Sequence, residues 1–278
     1  MKAFEVIKIG SKFLKENKIP SSILDSEILL SKTLNKTREE ILTNIEQKID
    51  KKKFLLFKKY LQRRSKNEPI AYILGEKEFW SSSFYVNNNT LIPRPETELL
   101  VDKLLEIYKN KNISILDIGT GSGCIIVSLL INLKSSIGFG VDISKDAISI
   151  ATKNSIKHEL ANRIKFSTLS FEKIFNKKFD LIVSNPPYIK TSDIKNLSDD
   201  VRKFEPKIAL DGGKDGLDVI RKVIYKSKTI LKKLGLLALE IGYGQHYKVS
   251  QILKDQGFRE ELLVKDYRNN IRCILARF

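Results

Sequence analysis

Ile115-Leu116-Asp117-Ile118-Gly119-Thr120-Gly121-Ser122-Gly123 runs from a buried strand into a glycine loop, and the apolar residues 124–133 behind it read as a helix. Strand, glycine turn and helix open a parallel α/β sheet. Glycine lets the backbone approach a ligand closely and adopt positive φ. The spacing is G-x-G-x-G, not the G-x-G-x-x-G of dinucleotide binders, so the loop need not cradle a pyrophosphate. Working outward, the next apolar run, Ile137-Gly138-Phe139-Gly140-Val141-Asp142, ends on an acid. Asp142 is placed to accept hydrogen bonds from ribose hydroxyls; alternatively it caps the helix that follows, a role open to Ser144 as well. Strands are predicted at 113–118, 137–142, 164–169, 179–184 and 236–241, alternating with helices. Residues 258–267 and 271–278 read as a hairpin turning at Asn269-Asn270, which places one antiparallel strand in the sheet. Ligands of such sheets bind at the C-terminal strand ends, where Gly119, Asp142 and Asn185 fall.

The run 179–184 is closed by Asn185-Pro186-Pro187-Tyr188. Two successive prolines cannot continue a ladder of backbone hydrogen bonds, so the strand ends there. An amide side chain, a fixed carbonyl and an aromatic ring then converge at a strand end. Asn185 can accept one N–H of a planar NH₂ group, the Pro186 carbonyl can accept the other, and Tyr188 can stack on the plane. The alternative is a proline turn with a core tyrosine.

Ahead of the sheet, residues 3–66 read as helices. Leu14, Ile23, Leu24, Ile28, Leu29 and Leu34 supply apolar faces. Thr37-Arg38-Glu39-Glu40 forms a capping box, and 50–66 carries Phe54, Leu55, Phe57 and Leu61 on one side. Residues 70–92 read as a hairpin, with one strand at 71–74, another at 79–86 and turn chemistry at Asn87-Asn88-Asn89. Pro93 and Pro95 rigidify the exit to a helix at 96–108.

The 278 residues suit one large and one small domain, and 42% are hydrophobic. No run of about 18 apolar residues predicts a membrane span, and the first residues lack the apolar stretch of a signal peptide. Cys124 and Cys273 are too few for a disulfide framework and too isolated for a metal site, so no metal is expected and a cytoplasmic location is. Fifty Lys and Arg against 33 Asp and Glu give a net charge of +17. This excess is either a footprint for an acidic partner or a compositional bias, since lysines are scattered throughout.

Glycine loop, strand-end acid and Asn-Pro-Pro-Tyr together resemble the class I S-adenosylmethionine-dependent methyltransferases that act on nitrogen in planar groups. Three further stretches are similar to the PrmC/HemK family: Glu68-Pro69-Ile70-Ala71-Tyr72-Ile73-Leu74-Gly75, Glu78-Phe79-Trp80-Ser81 and Leu91-Ile92-Pro93-Arg94-Pro95-Glu96-Thr97-Glu98. Glu205-Pro206, Ala209-Leu210-Asp211-Gly212-Gly213 and Asp215-Gly216-Leu217 match as well. The resemblance implies a seven-stranded Rossmann-like sheet in 96–278, a hairpin connector at 69–95 and a helical substrate-recognition domain at 1–68. It implies methylation of the glutamine amide nitrogen, N5, in the Gly-Gly-Gln motif of peptide chain release factors by a monomer that requires no nucleic acid. The alternative is a nucleic-acid methyltransferase acting on adenine N6 or guanine N2.

The resemblance also assigns residues. Gly119, Thr120, Gly121, Ser122, Gly123, Asp142 and Asn185 are expected at the donor, and Asp117 either orders the loop or reaches the donor's amino group. Asn185, Pro186 and Tyr188 are the expected catalytic set, with Pro187 and Arg94 beside the substrate. Arg94 alternatively pairs with Glu96 or Glu98. After the third strand the family carries an acid before an apolar residue; here Ser170-Phe171 stands there, leaving Phe171 as the expected adenine neighbour or a plain loop residue. His158 and His246 are expected in surface or capping roles.

Overall fold

The computed structural model describes residues 1–278, which fall into two compact units. The first comprises Met1–Glu76 with Ser198–Phe204. Its helices are α1 (Ala3–Glu16), α2 (Ser22–Leu34), α3 (Arg38–Thr43), α4 (Lys51–Arg64) and α5 (Ile70–Leu74). The capping box forms as expected: Glu40 N donates to Thr37 Oγ1 at 3.2 Å and Thr37 N to Glu40 Oε2 at 2.6 Å. Val6, Leu14, Leu29, Leu30, Ile41 and Phe57 make the core. Ile23, Leu24 and Leu55 are exposed, contrary to the apolar faces expected of them. The buried side of α2 is instead largely small and polar, with Ser22, Ser26, Ser31 and Thr33, which lets the helices approach closely. Residues 71–74 are not a strand. Pro69 before them and Gly75 at φ 77° after them are the start and stop signals of a helix, and they outweigh the β-branched content of the run.

The second unit holds Lys77–Leu197 and Glu205–Phe278. It opens with the hairpin β1 (Glu76–Phe79) and β2 (Ser82–Tyr85), whose first residue belongs to the other unit. The hairpin turns at Trp80-Ser81, both with positive φ, rather than at 87–89. Two successive left-handed residues are what a two-residue hairpin loop needs, and Trp80 N is held by Glu98 Oε1 at 3.1 Å. Asn87-Asn88-Asn89 makes a separate turn, closed by Thr90 N on Asn87 O.

Then follow α6 (Pro95–Tyr108), β3 (Ser114–Ile118), α7 (Cys124–Asn132), β4 (Ile137–Asp142), α8 (Lys145–Lys157), β5 (Ile164–Thr168) and β6 (Phe179–Ser184). The short α9 (Asp199–Phe204), which belongs to the first unit, precedes α10 (Asp218–Ile230), β7 (Leu231–Glu240), α11 (His246–Asp255), β8 (Arg259–Lys265) and β9 (Ile271–Arg277). The seven long strands form one sheet in the order β5-β4-β3-β6-β7-β9-β8, with β9 antiparallel to both neighbours. β7 starts earlier than expected: Leu231 pairs with Phe179, the register slips, and Leu234 takes φ 62° before pairing resumes at Leu236. Each face of the sheet has its own apolar core. The chain reverses its direction of winding between β3 and β6, and the crevice at their C-terminal ends is where such sheets bind ligands.

Candidate active site

At that crevice lies a cavity of about 340 Å³. Its floor is the glycine loop. Gly119, Gly121 and Gly123 have φ of 70°, 55° and 78°, which side-chain-bearing residues rarely adopt. A Cβ at Gly119 would meet nothing within 4 Å, so this backbone faces open space, whereas one at Gly123 would stand 3.2 Å from Ala151. Gly123 therefore serves helix packing, and Gly119, Thr120, Gly121 and Ser122 line the cavity. Asp142 ties the loop down: its Oδ2 accepts from Gly121 N at 3.0 Å and its Oδ1 from Ser144 N at 2.9 Å. Ser144 is the helix cap, accepting from Ala147 N. Asp117 is buried below the loop; Thr120 Oγ1 donates to its Oδ2 at 2.7 Å while Oδ1 has no partner. Burial raises its pKa to about 7. Asp117 does not line the cavity, whereas Phe171 does.

Asn185, Pro186 and Pro187 form the opposite wall. Asn185 Nδ2 donates to Thr97 Oγ1 at 3.3 Å. The amide nitrogen is thus held by a side chain, and Oδ1 is the atom left for a ligand. Thr97 Oγ1 in turn donates to Glu240 Oε2 at 2.6 Å, and Tyr188 Oη donates to Glu240 Oε1 at 3.3 Å. Arg272 donates to Tyr188 Oη at 3.2 Å and lies over its ring. Tyr188 is therefore absorbed in a buried network instead of offering a stacking face on the cavity wall. Burial pushes its phenol up to about 12. Glu240 is fully buried, and burial holds its carboxyl above the usual range against the opposing hydrogen bonds from Thr97 and Tyr188 and the charge of Arg272.

The proline segment is strapped in place. Gly212 N donates to Ile189 O at 2.8 Å, and Ile189 N to Leu210 O at 3.0 Å. Gln245 Nε2 donates to Tyr188 O at 2.9 Å. A Cβ at Gly212 would stand 2.7 Å from Pro187 O, and one at Gly216 2.5 Å from Tyr188 O, so only glycine permits this approach. Arg94 lines the cavity but pairs with neither Glu96 nor Glu98. Its partner is the buried Glu205, at 2.7 Å, which also receives Ile92 N. His158 contacts Ser83 O at 3.0 Å and packs on Phe84, and His246 opens α11. Thr97 and Glu240 were not anticipated from sequence. The available signal was an acid closing an otherwise apolar strand, the same signal that marks Asp142.

The fold and glycine-loop cavity define a class I S-adenosylmethionine-dependent methyltransferase. A methyltransferase-domain model matches residues 109–239 and a PrmC N-terminal domain model residues 5–75. A methyltransferase from Pyrococcus furiosus is similar in fold, with a TM-score of 0.53 at 15% identity, over 70% of this chain and 87% of that one. The release factor glutamine methyltransferase of Clostridium botulinum is 41% identical over 272 residues, 96% of each chain. The bifunctional methyltransferase of Rickettsia conorii is 39% identical over 92% of this chain, which spans only 54% of that relative's length. The chain belongs to the release factor glutamine methyltransferase family. The cavity fits the donor: the backbone at Gly119, where a Cβ would meet nothing within 4 Å, admits close approach of a ligand.

Proposed function

We propose that the chain transfers a methyl group from S-adenosylmethionine to the side-chain N5 of the glutamine in the Gly-Gly-Gln motif of peptide chain release factors. The observation that carries this reading is the Asn185 amide, whose nitrogen is committed to Thr97 and whose oxygen remains available on the cavity wall. S-adenosylmethionine supplies an electrophilic methyl on a sulfonium. A carboxamide nitrogen is a weak nucleophile because its lone pair is delocalised. Asn185 Oδ1 and the Pro186 carbonyl accept its two N–H bonds, fix the amide plane and stabilise positive charge developing on nitrogen. Orientation of this kind supplies up to ~7–11 kcal/mol in favourable cases. Asp142 and the glycine loop bind the donor, Phe171 borders its adenine, and Pro187 and Arg94 border the substrate.

The cationic residues lining the cavity, Arg94 and Lys222, each face a carboxylate, Glu205 at 2.7 Å and Glu172 at 3.8 Å. This supports a protein amide over a polynucleotide, whose phosphates call for uncommitted cations. The helical unit recognises the release factor, with bounds at Met1–Glu76 and Ser198–Phe204 in place of the expected 1–68, because 70–74 is helical and packs with it. The second unit, which opens with the hairpin, carries the catalysis, and the enzyme works as a cytoplasmic monomer. The test is incubation with labelled donor and release factor, followed by peptide mass mapping. One methyl on the glutamine, and none on a release factor with that glutamine changed to alanine, is expected. Label entering DNA or RNA while release factor stays inert would select the nucleic-acid reading. Asn185→Ala should slow transfer by ~10²-fold or more with donor affinity nearly intact.

A further inference from the structure

We infer that Thr97 and Glu240 are positioning residues for methyl transfer: a buried one-way relay of hydrogen bonds from Asn185 through Thr97 to Glu240 decides which end of the Asn185 amide faces the substrate. The role in transfer rests on the reading of Asn185 given above. A threonine hydroxyl carries one proton, and Thr97 spends it on Glu240 Oε2 at 2.6 Å. Toward Asn185 it can then only accept, so it meets the NH₂ end, and the oxygen is turned away. Were the relay reversed, Thr97 would donate to Asn185 Oδ1, and the cavity would receive an NH₂ where an acceptor is required.

The polarity is enforced from the far end. Glu240 also receives Tyr188 Oη, and Arg272 donates to that same Oη, which drives the phenol proton toward Glu240. Both hydrogen-bonding partners of Glu240 therefore donate, the Arg272 guanidinium stands 4.0 Å from its Oε1, and a carboxylate is the side chain that accepts on both oxygens. The fold supplies the placement. Ser184 on β6 pairs with Leu239 on β7, which sets Asn185 and Glu240 at adjacent strand ends. Thr97 stands in the first turn of α6, which starts at Pro95. Leaving a fully buried acid at this point is costly unless every acceptor is used.

The relay separates hydrogen-bond direction from shape, so three variants of the full chain test it. Thr97→Val keeps the shape and removes the hydroxyl. Thr97→Ser keeps the hydroxyl. Glu240→Gln keeps the shape but sets an NH₂ against one of two donors. With release factor as substrate, kcat should fall roughly 10- to 100-fold for Thr97→Val and Glu240→Gln. It should return to within a few-fold of native for Thr97→Ser, with calorimetric donor affinity unchanged throughout. In ¹⁵N-labelled protein without substrate, the Asn185 side-chain NH₂ resonances should move in Thr97→Val and Glu240→Gln and stay in Thr97→Ser. Native kcat and unmoved resonances in a folded Glu240→Gln would overturn the relay, whatever becomes of Thr97→Val. A native enzyme inert toward release factor would instead overturn the substrate reading, and the resonances would still decide the relay.

Discussion

Asp142 serves two backbone donors with different oxygens, Gly121 N and Ser144 N. Asparagine would turn an NH₂ toward one of them, so it cannot replace the acid. Both Asp142→Asn and Asp142→Ala are expected to weaken donor binding by about 1–3 kcal/mol, measured by calorimetry; unchanged affinity in both would reduce the acid to a local tether. Asp117 carries a pH signature. Its pKa in the fold is about 7, against 3.8 for the free group, because of burial. The folded state thus favours the protonated acid. That stability is complete below the unfolded value and is lost as pH rises through about 7. Asp117→Asn does not titrate, so its melting temperature relative to native should climb between about pH 4 and about pH 7 and level off above that. Parallel melting curves would count against a raised pKa. At this scale the glycines, Asp142 and Asn185 were legible because strand-end position and residue type coincide. Thr97 was not, because its partners Asn185 and Glu240 lie 88 and 143 positions away and no local spacing encodes them, and the strand-end acid Glu240 carried a position but not its partners.

Helix α1 crosses its neighbours at Gly10, where an added Cβ would stand 2.4 Å from Ser26 Oγ and 2.6 Å from the Phe57 ring. Ser26 also donates to Ile7 O at 2.9 Å, so it is not free to give way. Alanine gains about 0.5–1 kcal/mol of helix propensity, but overpacking a dense core costs about 1–3 kcal/mol. Gly10→Ala should therefore lower the stability of the helical unit on balance, read as an earlier denaturant midpoint in the unfolding of the full chain. A later midpoint would mean the helices slide apart cheaply. The same crossing explains a misreading of the sequence. Periodicity assigns Ile23 and Leu24 to a core face, yet close approach selects the serines of α2 for burial. Strands β3, β4 and β6 were readable to within about a residue because mainly apolar runs there are closed by glycine, acid or proline, whereas β7 starts at Leu231, ahead of its apolar run. The helix at Ile70–Leu74 was misread because a run this short carries no period, and only its flanking Pro69 and Gly75 distinguish helix from strand.

Over the whole molecule the net charge of +17 invites a nucleic-acid partner. Charge of this size attracts any polyanion, and such binding weakens linearly on a log–log plot against salt as counterions are released. Specific chemistry on a polynucleotide would need cations beside the reacting site, yet Arg94 and Lys222 on the cavity wall already face Glu205 and Glu172. Two consequences separate. RNA should bind the protein without sequence preference, and raising salt from about 50 to about 200 mM should loosen it by ~10-fold or more. Methyl transfer to release factor at saturating substrate should change only a few-fold over the same range, because the groups that orient the amide are short-range and largely desolvated. Parallel titrations of RNA binding and turnover would measure both. If turnover fell with the same salt slope as RNA binding, and label appeared in the RNA, the basic surface would be part of the active enzyme and the compositional account of the charge would fall.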